Sequence, residues 1–572
     1  MTMKSHWKRI LCLLAVAGCA IAGQAQAVRG GSASSLFPMG QAAGTKESAA
    51  TASIQQYIHD AWSTLTRSMT ECKSLADEKL KSQPVLYLPR EYEMPAQQRA
   101  EISRCGVRIQ KLPKPILDIG DMKPAEVPAQ GLLYLPNPYV VPGGRFNEMY
   151  GWDSYFIIRG LLRDGRMELA HQMIENFFFE IDHYGSILNA NRTYYFTRSQ
   201  PPFLTSMIRA FYEEEKARGH EDRQWLSKAY QYAAKDYELW TRSFHQAGDT
   251  GLARYYDLGE GPVPEMGDDP RYYLDVAGYL LVHPEDSSYG YLLDPAKNAV
   301  PAGSREFDVQ VCESSASQTS RLCSSSSKLS FSEDYYKGDR SMRESGFDIS
   351  FRFGPFGGST HHFAAVCLNS LLYKAEADME DFATLLGNAD EARAWHERAQ
   401  KRRNAINRFL WNPQRGMFFD YDFMSRKQSS YEFITTFYPL WAGVVTPEQA
   451  KAVAGNLGLF EKPGGVAMSN RETRVQWDLP YGWAPTQLIT VEGLRRYGMN
   501  EAADRISREF ISMVTENFQR DGTIREKYNV VTRSSETVLT AGYKSNVIGF
   551  GWTNGVLLEL SEGLKHSRQP SK

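Results

Sequence analysis

Apolar residues return at helical spacing between Arg166 and His183, at Met167, Leu169, Ala170, Met173, Ile174, Phe177, Phe178 and Ile181, and the pattern stops near Gly185. A stripe of this period buries one face of a helix, and a glycine just beyond it ends the helix. Pro201-Pro202 opens a second helix that runs through Leu204, Met207, Ile208 and Phe211. The same period predicts helices over residues 226–244, 364–386, 391–410, 484–497 and 501–518, and a last one from about Asn554 through Val556, Leu557, Leu558 and Leu560. Strand patterns are few, with residues 85–88 and 417–419 the clearest. Many helices with sparse strands predict an all-α fold, and antiparallel helix pairs closing into a toroid are the expected architecture.

Between these elements the composition sets boundaries. Residues 28–50 are rich in Gly, Ser and Ala and read as a flexible leader. Residues 314–330 are Ser-rich and read as a surface insertion. That leaves residues 51–565 as one folded unit with a short tail over 566–572. At 572 residues and 42% hydrophobic content the chain can bury a large core. The formal charge is −2, from 65 basic and 67 acidic residues without blocks of like charge, which excludes nucleic acid as the natural partner and favours a neutral or weakly charged small molecule.

The N-terminus changes the picture further. Lys4, Lys8 and Arg9 precede an apolar run from Ile10 to Gly18, and small residues follow up to Ala25-Gln26-Ala27. This is the order of a secretory signal over residues 1–27, and it predicts a periplasmic or secreted protein. The run is too short to span a bilayer. Val16-Ala17-Gly18-Cys19 also fits a lipoprotein box, with a lipid anchor at Cys19 as the alternative. Beyond this segment, Cys72–Cys105 and Cys312–Cys323 are plausible disulfides in an oxidising compartment, or buried thiols, and Cys367 is left over. His361-His362 invites a metal reading, but no Cys, His or carboxylate spacing supports one. No metal or cofactor is expected.

The chemistry-bearing residues gather in loop-like stretches: 142–155, 189–202, 344–348, 476–485, 526–529 and 549–555. They mix Trp with Arg, amides and carboxylates. Aromatic faces pack on the C–H surface of a pyranose, and planar polar groups fork onto its hydroxyls. Glycosidic cleavage needs one protonated and one ionised carboxyl group, and any Asp or Glu in these stretches satisfies that on chemistry alone.

Residues 142–155 (PGGRFNEMYGWDSY) and 476–485 (QWDLPYGWAP) resemble the two signatures of the trehalase family. RSQPP at 198–202, ESGFD at 344–348, EKY at 526–528 and GFGWTNG at 549–555 resemble further blocks of that family, in its order. The resemblance implies an (α/α)6 barrel that hydrolyses α,α-trehalose to glucose with inversion and without a cofactor; a monomer acting on a small disaccharide is the expected state. It implies Asp348 as general acid and Glu526 as general base. It also implies that Arg145, Trp152, Asp153, Asn189, Arg198, Ser199, Gln200, Glu265 and Gly346 hold the sugars.

The chain departs from the family in places. Val263 stands where P-R-P-E has a substrate-binding arginine, and residues 541–546 replace a glycine-rich run ending in Glu-Tyr. Phe347 replaces the usual Trp, Tyr481 an Asn, and Cys367 an Asp. Loss of a hydrogen-bonding partner bears on which sugar fits more than on the reaction, so a related α-linked disaccharide, or sugar binding with little turnover, are the alternatives. Each singled-out residue also has a plain structural alternative: core packing for Trp152, Trp477, Trp483 and Trp552, ion pairing for Arg145 and Arg198, loop bracing for Asp153 and Asp478, and a buried hydrogen-bonded carboxylate for Asp348 and Glu526.

Overall fold

The computed structural model describes residues 42–76, 83–266, 271–301, 304, 306–313, 322–539 and 546–567. Helix α1 spans Ala42–Leu65. It begins inside the stretch read as a flexible leader, where Ala42, Ala43, Ala49 and Ala50 supply the strongest helix former. The segments before the barrel carry a parallel sheet of β1 (Val85–Leu88), β2 (Arg108–Lys111) and β3 (Leu132–Leu133), with β1 in the middle. All four residues of β1 are buried, as a continuous apolar run requires of a central parallel strand. A Cys72–Cys105 disulfide, with Cα atoms 5.0 Å apart, ties this region together.

The barrel follows. Its elements are α2 (Asp153–Arg163), α3 (Met167–Tyr184), α4 (Leu204–Ala217), α5 (Arg223–Thr241), α6 (Glu333–Glu344), α7 (Val366–Leu386), α8 (Ala389–Phe409), α9 (Tyr438–Ala442), α10 (Pro447–Gly455), α11 (Ala484–Arg496), α12 (Asn500–Asp521) and α13 (Gly551–Ser567). Helix α2 packs on α4 and α13, α7 on α4 and α9, and α11 on α9 and α13. Those six helices therefore close an inner ring. Helices α3, α5, α8, α10 and α12 follow inner helices in the chain and lie outside them, and Tyr57 of α1, its ring 5.0 Å from Phe518 of α12, joins that outer layer. The chain is an (α/α)6 barrel.

Sequence explains which helix goes where. Inner helix α11 is buried almost continuously from Ala484 to Leu494. Outer helix α8 buries only Trp395, Ala399, Arg402 and Ile406, the single stripe of a surface helix. The helix read as 226–244 runs three residues earlier, because Asp222 accepts the Trp225 N–H at 2.9 Å and caps it ahead of its first apolar residue. In the Ser-rich stretch, strand Leu322–Phe331 pairs antiparallel with Phe307–Glu313, setting Cys312 opposite Cys323 in register. The side chains of those two cysteines lie outside the described residues, as do Cys19, Tyr543 and Lys544. Among the described residues no helix is long and apolar enough to cross a membrane.

The inner ring closes where α2 meets α13. A Cβ on Gly160 would fall 2.4 Å from the Gly555 Cα, and one on Gly555 would fall 2.1 Å from the Phe156 carbonyl oxygen. The backbones touch, and no side-chain rotation relieves an added methyl. Gly555→Ala is expected to destabilise the fold by about 1–3 kcal/mol, the usual cost of overpacking. A lowered midpoint in thermal unfolding checks this, and an unchanged one would show that the helices can part freely.

Candidate active site

The stretches singled out in the sequence meet where the inner helices begin. Trp152 and Asp153 start α2, residues 198–203 lead into α4, 477–483 into α11 and 549–552 into α13. Residues 345–348 leave the C-terminal end of α6 at the same place: Gly346 has φ +75°, and a Cβ there would lie 2.8 Å from the Trp152 ring.

Asp348 is held from behind. The Gln476 side-chain amide donates to its carbonyl oxygen, and the Trp477 N–H donates to the Ile349 carbonyl at 3.1 Å. Asp478 accepts from the Phe351 N–H at 3.1 Å, Tyr431 Oη at 2.9 Å and Thr473 Oγ1 at 2.8 Å. Asp478 is thus a buried brace, the structural alternative raised for it. The Asp348 side chain is 31% exposed, opposite Arg343 at 3.8 Å between Nη1 and Oδ2. Protein displaces most of its hydration, and this burial pushes its carboxyl up to about 7, against the pull of Arg343 and Arg198 and with a small push from Glu265.

Glu526 is 2% exposed. It precedes strand β5 (Lys527–Asn529), which pairs antiparallel with β4 (Tyr481–Trp483), so Lys527 lies opposite Trp483. Lys527 Nζ is 3.0 Å from Glu526 Oε2 and 5.0 Å from the Trp483 ring centre. Trp552 Nε1 donates to the Glu526 carbonyl at 3.2 Å. Asp153 is a third buried carboxyl. Burial first, and then the negative charges of Glu526 and Asp348, raise it well above the ordinary carboxyl range. Asp348 and Glu526 are therefore both within electrostatic reach of Asp153, and Arg145 and Asp348 both act on Lys527.

The other expected residues divide into two kinds. Arg198 donates to Asn189 Oδ1 at 2.7 Å and to Glu265 Oε1 at 2.5 Å, with its Nη1 lacking a hydrogen-bond partner. Burial alone would raise Glu265, but the Arg198 and Arg343 guanidiniums hold it below the usual range, and its Oε2 is likewise unpartnered. These groups form a polar wall with unmet capacity, which native sites reserve for ligands or ordered water. Ser199, Gln200 and Trp152 instead face inward. Ser199 Oγ donates to the Ile187 carbonyl at 2.6 Å, and Gln200 Oε1 accepts the Trp152 N–H at 3.0 Å. Trp152, Trp477, Trp483, Trp552 and Phe347 are buried and packed on one another, with Trp477 and Trp483 stacked at 3.9 Å. They brace the site from below. Arg145 is exposed, its guanidinium 4.7 Å from the Phe146 ring centre.

Sequence reading passed over Arg343. It is 8% exposed, its Nε is 3.8 Å from Glu265 Oε1, and its Nε and Nη2 lack hydrogen-bond partners. The available signal was its place just before Glu344 in the ESGFD block. Val263, the residue noted as a missing arginine, is buried and its N–H bonds Tyr273 Oη at 3.0 Å.

A family model described as Trehalase matches residues 42–565. The chain belongs to the trehalase family. Among trehalase relatives it is 36% identical to the cytosolic neutral trehalase of Saccharomyces cerevisiae over 464 residues, covering 76% of this chain and 58% of that one. It is 36% identical to the cytosolic neutral trehalase of Neurospora crassa, covering 77% and 60%. The chain thus spans less than two thirds of the length of these relatives. The solved structure of neutral trehalase from Saccharomyces cerevisiae superposes with a TM-score of 0.72 at 31% identity, covering 90% of this chain and 94% of that one.

These trehalases are named cytosolic, which overturns the expectation of a signal peptide and of a periplasmic or secreted location. That expectation rests only on the order of charged, apolar and small residues over 1–27, which lie outside the described residues, and such an order is a compositional pattern.

The Asp348 environment carries a stability consequence. Its folded value of about 7 exceeds the unfolded value of about 3.9, so the folded state holds the proton more tightly. The associated stability is fully present below about pH 4 and is lost as pH rises through about 7. Asp348→Asn, a neutral isostere, is expected to melt above the wild type at pH 8, with the gap closing toward pH 4. Thermal unfolding at both values checks it; a gap independent of pH would contradict it.

Proposed function

We propose that the chain hydrolyses α,α-trehalose to glucose in a single inverting displacement, with Asp348 as general acid and Glu526 as general base. The observation that carries this reading is the unlike surroundings of the two carboxyls that act on Asp153: burial favours the proton on Asp348, while Lys527 forms an ion pair with Glu526. An acid and a base need unlike surroundings of this kind. Family membership and relatives named trehalase supply the substrate class.

In this mechanism Glu526 takes a proton from a water as that water attacks the anomeric carbon. Asp348 gives its proton to the glycosidic oxygen, and the second glucose leaves. Inversion needs room for the water, about 6.5–9.5 Å between the carboxyls. Asn189, Arg198, Glu265, Arg145 and Asp153 are the proposed hydroxyl partners, with burial favouring the protonated form of Asp153. Arg343 is proposed to supply the guanidinium that position 263 lacks, since it stands between Glu265 and Asp348. Trp152, Ser199, Gln200 and Gly346 act by holding backbone in place. The catalytic unit over residues 51–565 is proposed to work as a monomer, all of these groups coming from one chain.

Proton NMR of trehalose turnover tests the reading directly. Inversion at one anomeric carbon releases one β- and one α-glucose, so equal anomers are expected at early times, and α-glucose alone would exclude inversion. Asp348→Asn and Glu526→Gln should each lower kcat by roughly 10²- to 10⁴-fold. No release of glucose by folded wild type would sink the trehalose assignment and turn attention to other α-linked disaccharides, as Val263 suggests.

The pH dependence follows from the same carboxyl. Asp348 works in its protonated form, so kcat/KM is expected to fall above about pH 7 as that proton is lost. A profile still rising through pH 8 would remove Asp348 from the acid role.

A further inference from the structure

Asp334, His361 and His362 take no part in the proposed hydrolysis, yet their ligating atoms converge. Asp334 sits in the first turn of α6, behind the Ser332 cap, and the two histidines lie in the 3-10 turn Thr360–His362. The Nε2 atoms of His361 and His362 are each 3.0 Å from the same oxygen, Asp334 Oδ1. The three ligand atoms all lie within 4.8 Å of one another. Adjacent histidines usually point apart; here the tight turn brings both rings to one side, with centroids 4.0 Å apart.

We propose that Asp334, His361 and His362 bind one divalent transition ion of the zinc class through two imidazole nitrogens and one carboxylate oxygen. Zinc holds such ligands at about 2.0–2.2 Å, which sets tetrahedral neighbours about 3.3 Å apart, close to the two separations of 3.0 Å. An ion therefore enters with shifts of a few tenths of an ångström at these two contacts. A cavity of about 800 Å³ lined by all three residues gives it a route from solvent and room for water at the open coordination position. His361 is 8% exposed and Asp334 46% exposed, so one ligand is fixed and another can adjust.

The charges around the site limit the affinity. Arg254 and Lys337 line the same cavity as Glu333 and Asp334, and Arg254 Nη1 donates to the His361 carbonyl at 3.0 Å. Two cations offset two carboxylates, so the ion is held by ligand chemistry and little by net charge. Nitrogen ligands select zinc-like ions over calcium or magnesium, which prefer all-oxygen sets.

The bound ion would tie residue 334 to residues 361 and 362, the two ends of the segment that carries Arg343, Asp348 and Arg352. Its effect is to stiffen that segment without touching the reacting groups.

Titration of the full chain with zinc alone, after chelator treatment, is expected to give one saturable site by calorimetry. Asp334→Asn and the double change His361→Gln with His362→Gln should each weaken it at least about tenfold, the lower end of what even outer-shell partners cost. Magnesium at the same concentration should give no saturable heat. Absence of a one-to-one site, or unchanged zinc binding in the double variant, overturns the proposal. Should a variant fail to fold, anomalous diffraction at the zinc edge from soaked wild-type crystals decides instead: a peak between the three side chains upholds the site, and no peak there overturns it.

Discussion

Carboxyl groups brought together away from water must be held by protons, cations and fixed backbone, and Asp153, which feels both Asp348 and Glu526, sits at the centre of that constraint. Each is fixed by a different element. Asp153 belongs to the first turn of α2, Asp348 to the loop leaving α6, and Glu526 to the residue before β5. The Trp477–Trp483 stack and the hydrogen bonds of Gln476 and Asp478 hold the Asp348 loop, while Lys527 and Trp552 hold Glu526. Such a site raises the energy of the fold locally, as preorganised sites do, and the large apolar core around it carries the cost.

Glu344 shows how the bracing extends outward. Its carboxylate accepts from the Ser199 and Tyr256 N–H groups and contacts His245 Nε2 at 3.3 Å, which stacks on Trp240. One buried side chain thereby joins the polar wall of Arg198 to the helix that carries Arg343. Residues conspicuous in the sequence blocks, such as Glu344, Gln476 and Trp483, also place backbone: Gln476 donates to the Asp348 carbonyl, and Trp483 Nε1 donates to the Gln476 carbonyl at 2.8 Å.

The sequence made helix periodicity, the toroid and the convergence of six stretches legible, because helical burial is periodic and short motifs carry local chemistry. It located helix starts less well where a polar cap precedes the first apolar residue, as at Asp222. It left two readings open for the tryptophans, sugar contact or core packing, and Trp152 and Trp477 pack on other rings. Arg343 escaped notice because its value lies in facing Glu265, far away in the chain. Asp334 escaped for the same reason: it lies 27 residues before His361, so no ligand spacing announces it. Pairings across the barrel depend on tertiary placement, which residue order does not encode locally.

The contact between α2 and α13 has a consequence for how the molecule comes into being. Arg159 of α2 bonds Glu559 of α13, 400 positions later, and the glycine contact beside it completes the ring. A chain emerging from the ribosome can pair its early helices, but it leaves an open arc of inner helices with apolar flanks uncovered until the last helix arrives. Large proteins that close late expose such surfaces for seconds during synthesis. The proposed site is therefore among the last features to form: Glu526, the mouth of α13 and the closing helix all follow the rest of the ring in the chain, so a prematurely stopped product is a sticky fragment with that site incomplete.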